Sequence, residues 1–380
     1  MRRWLVVALL LLLPCGAFSE TIRIATFNAS LTRSGPGLLL RAIEKDDDAQ
    51  IKNVIGILQH IRPDILLVNE FDWDVESRAA KAFMSSLNVG PKALDYRFFF
   101  DSEPNSGRLS GYDLNNDGKT RGPEDAFGYG KFPGQYGMLL LSRFPINKDD
   151  ARSFAKLLWS DLEGASLPTH AVGKPFPSEA AQTVMRLSSK SHWDISIETS
   201  NGPLHVLASH PTPPVFDGPE DRNGLRNADE IRFWTHYLND QVMTDDQART
   251  APRSARPAVV LGDLNADPND GDGIHSAIND LLNHPALQDI KPASQGGLEA
   301  AKQGPANDTH MTDPTLDTAD WNDTRGPGNL RVDYALPTRD ITIKDAGVFW
   351  PASNDPLHAL LGSGKSLSSD HRLVWLDIDW

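Results

Sequence analysis

The sequence is poor in cysteine, in positive charge and in long apolar segments. It has 1 cysteine in 380 residues, so no disulfide can form within the chain. Its 37 lysines and arginines face 51 aspartates and glutamates, which gives a net charge of −14 at pH 7 and excludes a global cationic field that would collect nucleic acid non-specifically. The one long apolar run lies at the N-terminus, so a protein with several membrane spans is excluded. A hydrophobic share of 39% and a charged share of 23% are typical of a globular protein.

The N-terminal run has the order of a secretory signal peptide. Two arginines precede an apolar stretch from Trp4 to Leu13, and the small-residue pattern A-x-S follows at 17–19. The stretch is shorter than the about 20 residues that a membrane-spanning helix needs. We therefore expect a signal peptide over residues 1–19, cleavage after Ser19 and a secreted or periplasmic protein, with lipidation of Cys15 as the alternative. Cleavage would change the net charge from −14 to −16 and remove the thiol.

Short apolar runs of strand length recur along the rest of the chain. They are rich in Val, Ile and Leu, as buried strands are. Helical spacing of apolar residues predicts helices at Ala49–Ile61, Asp229–Leu238 and Ile274–Leu282. The segments 101–135, 145–182 and 291–329 are rich in turn-forming residues and are predicted as loops. No linker divides the chain, so we expect one α/β domain over residues 20–380. The predicted strands are Ile22–Phe27, Ile65–Val68, Met138–Leu141, Leu204–Ala208, Ala258–Leu261, Val332–Leu336 and Leu373–Ile378.

Polar side chains that could bind a metal or take part in catalysis lie at the ends of these apolar runs. Ligands bind outside strand ends in layered α/β folds, because the sheet fixes the positions of the side chains there. Carboxylates, amides and imidazoles without cysteine suit a hard divalent cation such as Mg²⁺ or Mn²⁺. The strand-end residues are Asn28, Glu70, His210, Asp263, Asn265, Asp333, Asp370 and His371.

The order of the motifs TFNAS, PDILLVNE, ASHPTP, GDLNADP, RVDYALP and SDHRLV resembles the endonuclease/exonuclease/phosphatase superfamily. That superfamily includes deoxyribonuclease I, exonuclease III, neutral sphingomyelinases and inositol-polyphosphate phosphatases. The match runs from Thr21 to Trp380, and the segment Phe132–Pro145 adds support with its glycine-led strand ending in Ser-Arg-Phe-Pro. The resemblance implies a four-layer α/β/β/α sandwich with two packed mixed β-sheets. It also implies a metal-dependent hydrolase that cuts a phosphodiester or phosphomonoester by in-line attack of activated water.

The resemblance assigns a metal set and a pair of residues that handle water and phosphate. Glu70 matches the principal metal ligand for Mg²⁺ or Mn²⁺, and Asp370 matches the ligand that completes the site. Asn28 belongs with this set and would help to orient Glu70 and the metal-bound phosphate. Asp263 would position or deprotonate the attacking water, and Asn265 would hydrogen-bond a phosphate oxygen. The same GDLNADP segment also has the composition of a type I turn, which would display both side chains.

Two histidines complete the implied catalytic set. Asp333 and His371 match an imidazole–carboxylate pair, in which the carboxylate favours the protonated ring and leaves its other nitrogen free to donate to the phosphate. His210 matches a second histidine that would donate to a phosphate oxygen or to the leaving group. No serine or cysteine lies in a nucleophile motif such as G-x-S-x-G, which argues against a covalent intermediate.

Several substrate classes stay open. The substrate is expected to be a nucleic acid or a small organophosphate, with a nuclease-like substrate slightly favoured. One alternative is a phospholipid-directed, sphingomyelinase-like hydrolase. Another is a catalytically silent secreted binding module. The presence of Glu70, Asp263 and His371 favours the enzyme. Membrane insertion would need exposed aromatic residues, for which Trp321, Phe349 and Trp350 are the candidates. DNA binding would need basic residues on the site face, for which the candidates are Arg108, Arg121, Lys131, Arg143, Arg325 and Arg331. No stable protein partner is implied, and no transmembrane segment is expected in the mature form.

An acidic segment in the first long loop fits a calcium-binding pattern. Asp113, Asn115 and Asp117, followed by Gly118 and then Glu124, match D-x-[DN]-x-[DN]-G-x₅-E. The flanking residues are rich in glycine and proline and do not predict the two helices of an EF-hand. We therefore predict a helix-free structural Ca²⁺ loop, with a solvated turn as the alternative.

Overall fold

The computed structural model describes residues 20–380, except for the side chain of Ser366. The predicted signal peptide and Cys15 lie outside the described residues. The strands are β1 (Thr21–Asn28), β2 (Ile65–Asn69), β3 (Phe98–Phe100), β4 (Met138–Ser142), β5 (Ile146–Ser153), β6 (His192–Thr199), β7 (Gly202–Ser209), β8 (Met243–Thr244), β9 (Thr250–Ala251), β10 (Ala258–Asp263), β11 (Ala319–Asp320), β12 (Asn329–Leu330), β13 (Asp333–Pro337), β14 (Thr342–Val348) and β15 (Val374–Asp379). The α-helices are α1 (Leu38–Lys45), α2 (Ala49–Ile61), α3 (Arg78–Leu87), α4 (Glu179–Gln182), α5 (Arg222–Leu238), α6 (His275–Leu282) and α7 (Gln295–Ala300).

Two mixed sheets form the centre of the fold. The first has six strands in the order β14-β15-β1-β2-β4-β3, and the second has five in the order β13-β10-β7-β6-β5. In each sheet one pair is parallel, β1 with β2 and β10 with β7, and the other pairs are antiparallel. The expected α/β class with two mixed sheets is confirmed.

The two sheets pack face to face with helices outside them. Successive side chains of a strand point to opposite faces, and this alternation is visible along β10. Val259 and Leu261 belong to the large core cluster that contains residues of both sheets and extends to the apolar residues of α1, α2 and α3. Ala258 and Val260 join a second core with α5 and α6. Strands covered on both faces read as continuous apolar runs, which is why the sequence revealed them.

Some strands and helix starts were missed because polar residues hide them. The prediction of a loop over 145–182 is wrong in part, because β5 lies there at the edge of its sheet. Lys148, Asp149 and Asp150 in the middle of β5 are exposed. Charged edge strands prevent pairing with other chains. Helix α5 begins at Arg222, seven residues before the predicted Asp229, because its first two turns are mostly polar and place only Leu225 and Ala228 against the core. Strands β6 and β14 were also not predicted.

Candidate active site

The predicted site residues meet at one edge of the two sheets. Strands β1, β2, β7 and β10 end there, because each of the two parallel pairs brings its carboxyl ends to the same edge. Strands β13 and β15 run antiparallel to β10 and β1 and therefore begin there. We call the residues gathered at this edge the strand-end cluster: Asn28, Glu70, His210, Asp263, Asp333, Asp370 and His371.

Asp263 is the centre of this cluster. Its Oδ2 accepts a hydrogen bond from Asn28 Nδ2 at 2.9 Å and faces two imidazole nitrogens, His210 Nε2 at 3.4 Å and His371 Nε2 at 3.7 Å. Its Oδ1 accepts the backbone N–H of Asn265 at 2.9 Å. The preceding glycine, Gly262, lets the backbone come this close, because a Cβ at that position would lie 2.0 Å from the carbonyl oxygen of the neighbouring strand β7.

The predicted Asp333–His371 pair is present. His371 Nδ1 lies 2.8 Å from Asp333 Oδ2, and the Asp333 backbone N–H donates to Thr318 Oγ1 at 2.9 Å. Trp321 contacts the His371 ring edge to face, with centroids 5.4 Å apart, and donates from Nε1 to Asp370 Oδ2 at 3.0 Å. The imidazole is therefore fixed on one side by a carboxylate and on another by an indole.

The two histidines around Asp263 have opposite electrostatic settings. Burial lowers the pKa of His371, but Asp333 and Asp263 outweigh it and hold that pKa well above its usual value, so the ring is an imidazolium. Burial and then Lys190 lower the pKa of His210 to about 4, so this ring is neutral at pH 7. Burial raises the pKa of Asp263, but His371 and His210 hold it well below its usual range. One carboxylate thus lies between a charged and a neutral imidazole.

Glu70 and Asp370 form the side of the cluster that suits a cation. Burial and then the charge of Asp370 raise the pKa of Glu70 to about 7, and the charges of His371 and Lys190 offset this rise only in part. Asn28 Nδ2 approaches Glu70 Oε1 at 3.4 Å as well as Asp263, while its Oδ1 accepts the backbone N–H of Ser30 at 3.1 Å. Asn28 therefore offers nitrogen, not oxygen, to the carboxylates, which fits orienting Glu70 better than binding a metal.

The distances between possible metal-ligand atoms point to a set other than Glu70 and Asp370. Among residues 20–380, the one group of at least three Asp, Glu, His or Cys residues with ligand atoms within 4.8 Å of one another is Asp263, Asp333 and His371. His371 Nδ1 already faces Asp333 in this group. The strand-end cluster contains four carboxylates, Glu70, Asp263, Asp333 and Asp370. Carboxylate oxygens in this number suit a hard divalent ion.

Asn265 lies beside Asp263 as predicted. It adopts a left-handed backbone conformation with φ of 51°, and its Nδ2 donates to the carbonyl oxygen of Pro211 at 3.1 Å. The interpretation of this segment as a turn is therefore compatible with a role of Asn265 at the site.

Lys190 and Tyr136 lie beside the strand-end cluster and were not identified from the sequence. Lys190 precedes β6, a strand that was not predicted, and is 7% exposed. Burial lowers its pKa, while the charges of Glu230, Glu70 and Asp263 raise it. Tyr136 lies near Glu70, whose charge adds to burial in raising the pKa of the phenol. A cation in a short polar stretch and a tyrosine in a long loop have no spacing that marks them as site residues.

Two cavities open on the strand-end cluster. The side cavity, about 530 Å³, is lined by Glu70, Lys190 and His210 and by apolar and aromatic residues. The main cavity, about 1050 Å³, is lined by Glu70, Asp263, Asp370 and His371 and by the segments around 265–273 and 321–327. Both volumes are in or near the range of small-molecule sites.

The predicted calcium loop folds onto its own backbone. Asp113 accepts the backbone N–H groups of Asp117 and Gly118 at 3.1 and 2.8 Å, and Asn115 also accepts from Asp117 N–H at 3.2 Å. Glu124 is exposed on the side cavity. The carboxylate that folds back is the buried Asp125, which accepts from Leu114 N–H at 3.0 Å and Gly122 N–H at 2.7 Å. Among the described residues, those of this loop do not form a cluster of possible metal ligands. The calcium site therefore stays a prediction.

The candidates for membrane and DNA contact are mostly engaged elsewhere. Phe349 and Trp350 are buried. Arg331 is buried and pairs with Asp289, Arg143 pairs with Asp64, and Arg108 lies 3.2 Å from Glu103. Arg325 lines the main cavity, whereas Arg121 and Lys131 are exposed. Within residues 20–380, no helix is both long and apolar enough to cross a membrane.

Comparison with known proteins gives a family. The model of the endonuclease/exonuclease/phosphatase family matches residues 25–371. A family protein from Leptotrichia buccalis C-1013-b is similar at 16% identity and a TM-score of 0.49, covering 94% of this chain and 100% of that one. An endonuclease/exonuclease/phosphatase from Beutenbergia cavernae DSM 12333 has 15% identity and a TM-score of 0.49, covering 94% and 71%. Sphingomyelinase C from Streptomyces griseocarneus has 14% identity and a TM-score of 0.46, covering 94% and 99%. No curated protein sequence matches the chain.

Proposed function

The chain belongs to the endonuclease/exonuclease/phosphatase family, and from this premise we propose that it is a secreted, metal-dependent phosphoesterase. The strand-end cluster would hydrolyse a phosphodiester or phosphomonoester by in-line attack of water. The observation that carries the proposal is the position of Asp263, whose Oδ2 lies within 3.7 Å of a neutral and of a protonated imidazole and within 2.9 Å of an amide nitrogen. Secretion rests on the signal-peptide pattern of the first nineteen residues.

Glu70 and Asp370 are the residues that would hold a divalent ion such as Mg²⁺ or Mn²⁺. Their fit is chemical: both are oxygen donors, and the charge of Asp370 adds to burial in raising the pKa of Glu70, a cost that a cation would relieve. A cation there would neutralise non-bridging phosphate oxygens and stabilise the leaving alkoxide.

Asp263 would orient the attacking water. Its depressed pKa keeps it ionised, so it accepts a hydrogen bond from the water and aims the oxygen lone pair at phosphorus. A strongly acidic carboxylate is a weak general base, and positioning is therefore its larger contribution.

His371 would stabilise charge on the phosphate. Its ring is protonated, and Nδ1 faces Asp333, so Nε2 carries the proton that it can donate as charge develops on the phosphate oxygens. Neutral His210 faces the same Asp263 oxygen through its Nε2, at 3.4 Å, and would donate a hydrogen bond to a phosphate oxygen or to the leaving oxygen. Its Nδ1 is buried and has no hydrogen-bond partner.

A substrate panel tests the proposal. Protein comprising residues 20–380 should hydrolyse at least one of bis-p-nitrophenyl phosphate, p-nitrophenyl phosphate, DNA, RNA and sphingomyelin in Mg²⁺. EDTA should abolish the activity and added Mg²⁺ or Mn²⁺ should restore it. Activity that is unaffected by EDTA would contradict the metal assignment, and full activity of Asp263→Asn would contradict the site.

The structure offers little support for a long DNA substrate or for a membrane phospholipid. Three of the six basic candidates pair with carboxylates, which leaves the other three to track a long DNA backbone. Two of the three aromatic candidates for membrane insertion are buried, and Trp321 donates to Asp370. Both observations favour a compact phosphate ester over an extended duplex or a membrane surface.

A further inference from the structure

The side cavity has an apolar floor and an aromatic mouth next to the strand-end cluster. Buried Leu114, Trp159 and Met185 line its inner part. Three aromatic residues line it as well: Tyr129, Tyr136 and Phe216. Apolar and aromatic lining beside the reacting groups is suited to the organic part of a substrate rather than to its phosphate.

Phe216 is displayed to solvent in a strained conformation. It is 87% exposed and has a φ of 67°, the left-handed region that a bulky residue rarely adopts. Burial therefore does not compensate the strain. Asn223 bonds to the residues on both sides of Phe216: its Nδ2 donates to the backbone carbonyl oxygen of Val215 at 2.7 Å, and its backbone N–H donates to the side-chain Oδ2 of Asp217 at 2.6 Å. Phe216 lines both cavities and so lies between them.

Tyr136 is a second strained aromatic residue at the side cavity. Its φ is 57°, and its ring packs against Tyr129 with centroids 6.3 Å apart and a tilt of 42°. Glu70 also has a positive φ, of 58°. Strained backbone conformations concentrate at functional sites, where they aim side chains at a ligand.

The charge on the cavity lining separates two kinds of organic group. Aromatic rings alone would suit either a flat ring or a quaternary ammonium ion. Lys190, Arg222 and Arg226 also line the side cavity, and so do the carboxylates Glu70 and Glu124. The three cations outnumber the two carboxylates, so the lining disfavours an ammonium head group but does not hinder a neutral ring attached to a phosphate.

We propose that the side cavity binds the organic group esterified to the scissile phosphate, and that this group is a planar aromatic ring system such as a nucleobase, stacked on Phe216. This inference rests on the proposed function and names its substrate class: a nucleoside or aryl phosphate ester bound by one end group. Phe216 is then a specificity-determining residue that touches the substrate away from the reacting atoms.

Three phosphonates that the enzyme cannot cut test the proposal by calorimetry in Mg²⁺. They are 5′-deoxy-5′-phosphonomethyl adenosine, (2-trimethylammonioethyl)phosphonate and methylphosphonate, which share the acid group and differ in the organic group. We expect the adenosine compound to bind at least tenfold more tightly than methylphosphonate. Phe216→Ala should weaken the adenosine compound about tenfold and leave methylphosphonate unchanged, whereas Phe216→Trp should retain adenosine binding. Val172→Ala, which removes an exposed side chain that lines neither cavity, should change none of the three.

The outcomes separate this inference from the proposed function. Equal affinity for the adenosine compound and methylphosphonate, or no effect of Phe216→Ala, would overturn the inference even if the protein hydrolyses phosphate esters. Tightest binding of the trimethylammonium compound would overturn it in favour of a choline head group. Phe216-dependent adenosine binding by a protein that hydrolyses nothing on the panel would support the cavity assignment and overturn the proposed function instead.

Discussion

The strand-end cluster and the acidic loop at 113–125 are both rich in carboxylates, but their oxygen atoms have different partners. In the loop, Asp113 and Asp125 accept hydrogen bonds from backbone N–H groups of the loop itself. In the cluster, Asp263 faces side chains from three other segments of the chain. A loop can satisfy its own carboxylates by bending, whereas strand ends are fixed by the sheets and leave theirs directed at one another. Acidic residues therefore indicate a site more reliably where a rigid scaffold prevents them from turning away.

Loss of the imidazolium should have the largest effect on the cluster side of this comparison. His371→Ala removes the protonated donor that faces Asp263 and Asp333. Turnover should fall by about 10²–10⁴ with little change in KM. The exposed His358 is a matched control, since His358→Ala removes an imidazole that belongs to neither cavity. Near wild-type turnover of His371→Ala on the best panel substrate would break the assignment.

Metal binding by the cluster should depend on pH, and the loop should not contribute to it. The pKa of Glu70 is about 7 without a cation, so below that pH an ion must displace a proton. Mg²⁺ affinity should therefore be highest above pH 7 and fall about tenfold for each pH unit below it. Calorimetric Mg²⁺ titrations at pH 8 and pH 5.5 measure this. Glu70→Gln should remove the binding and its pH dependence, and Asp113→Asn should alter neither; equal affinity at both pH values would contradict the ligand role of Glu70.

Stability measurements can test whether the carboxylates of the acidic loop bind the loop backbone or Ca²⁺. Asp125→Ala removes the acceptor of two backbone N–H groups and should lower the free energy of unfolding by about 1–3 kcal/mol. Glu124→Ala removes the exposed neighbour that the calcium pattern required and should change it by less than about 0.5 kcal/mol. Urea unfolding without and with Ca²⁺ tests both. A Ca²⁺-dependent rise in stability that Glu124→Ala abolishes would restore the calcium loop.

The smallest expected effect concerns the strained ring at the cavity mouth. Phe216→Gly and Phe216→Ala remove the same exposed ring, but only glycine adopts a φ of 67° without strain. The glycine variant should therefore be more stable than the alanine variant by about 1 kcal/mol, although both bind the adenosine phosphonate poorly. Thermal unfolding of the pair measures the difference. If alanine is the more stable of the two, Phe216 is not held under strain.

The sequence indicated which residues gather in the strand-end cluster, because they stand next to apolar runs that the sheets bury; their roles stay a prediction. Asp263 and His371 lie more than a hundred residues apart, yet both stand at strand ends, and strand ends meet at a common edge. Lys190 and Phe216 had no such signal: the first precedes a strand with a polar pattern, and the second owes its position to a loop conformation held by Asn223. The direction of the Asn28 amide was equally beyond reach, because it depends on the neighbouring Ser30 N–H.

The central claim is that the strand-end cluster, and not the acidic loop, carries the phosphoesterase chemistry. Steady-state hydrolysis of one panel substrate by Asp263→Asn and Asp117→Asn tests it most directly, since each substitution exchanges one carboxylate for an amide of the same shape. We predict that Asp263→Asn loses at least about 10² in kcat with its melting temperature retained, and that Asp117→Asn stays within twofold of the wild type. Equal losses in the two variants, or a larger loss in Asp117→Asn, would contradict the account.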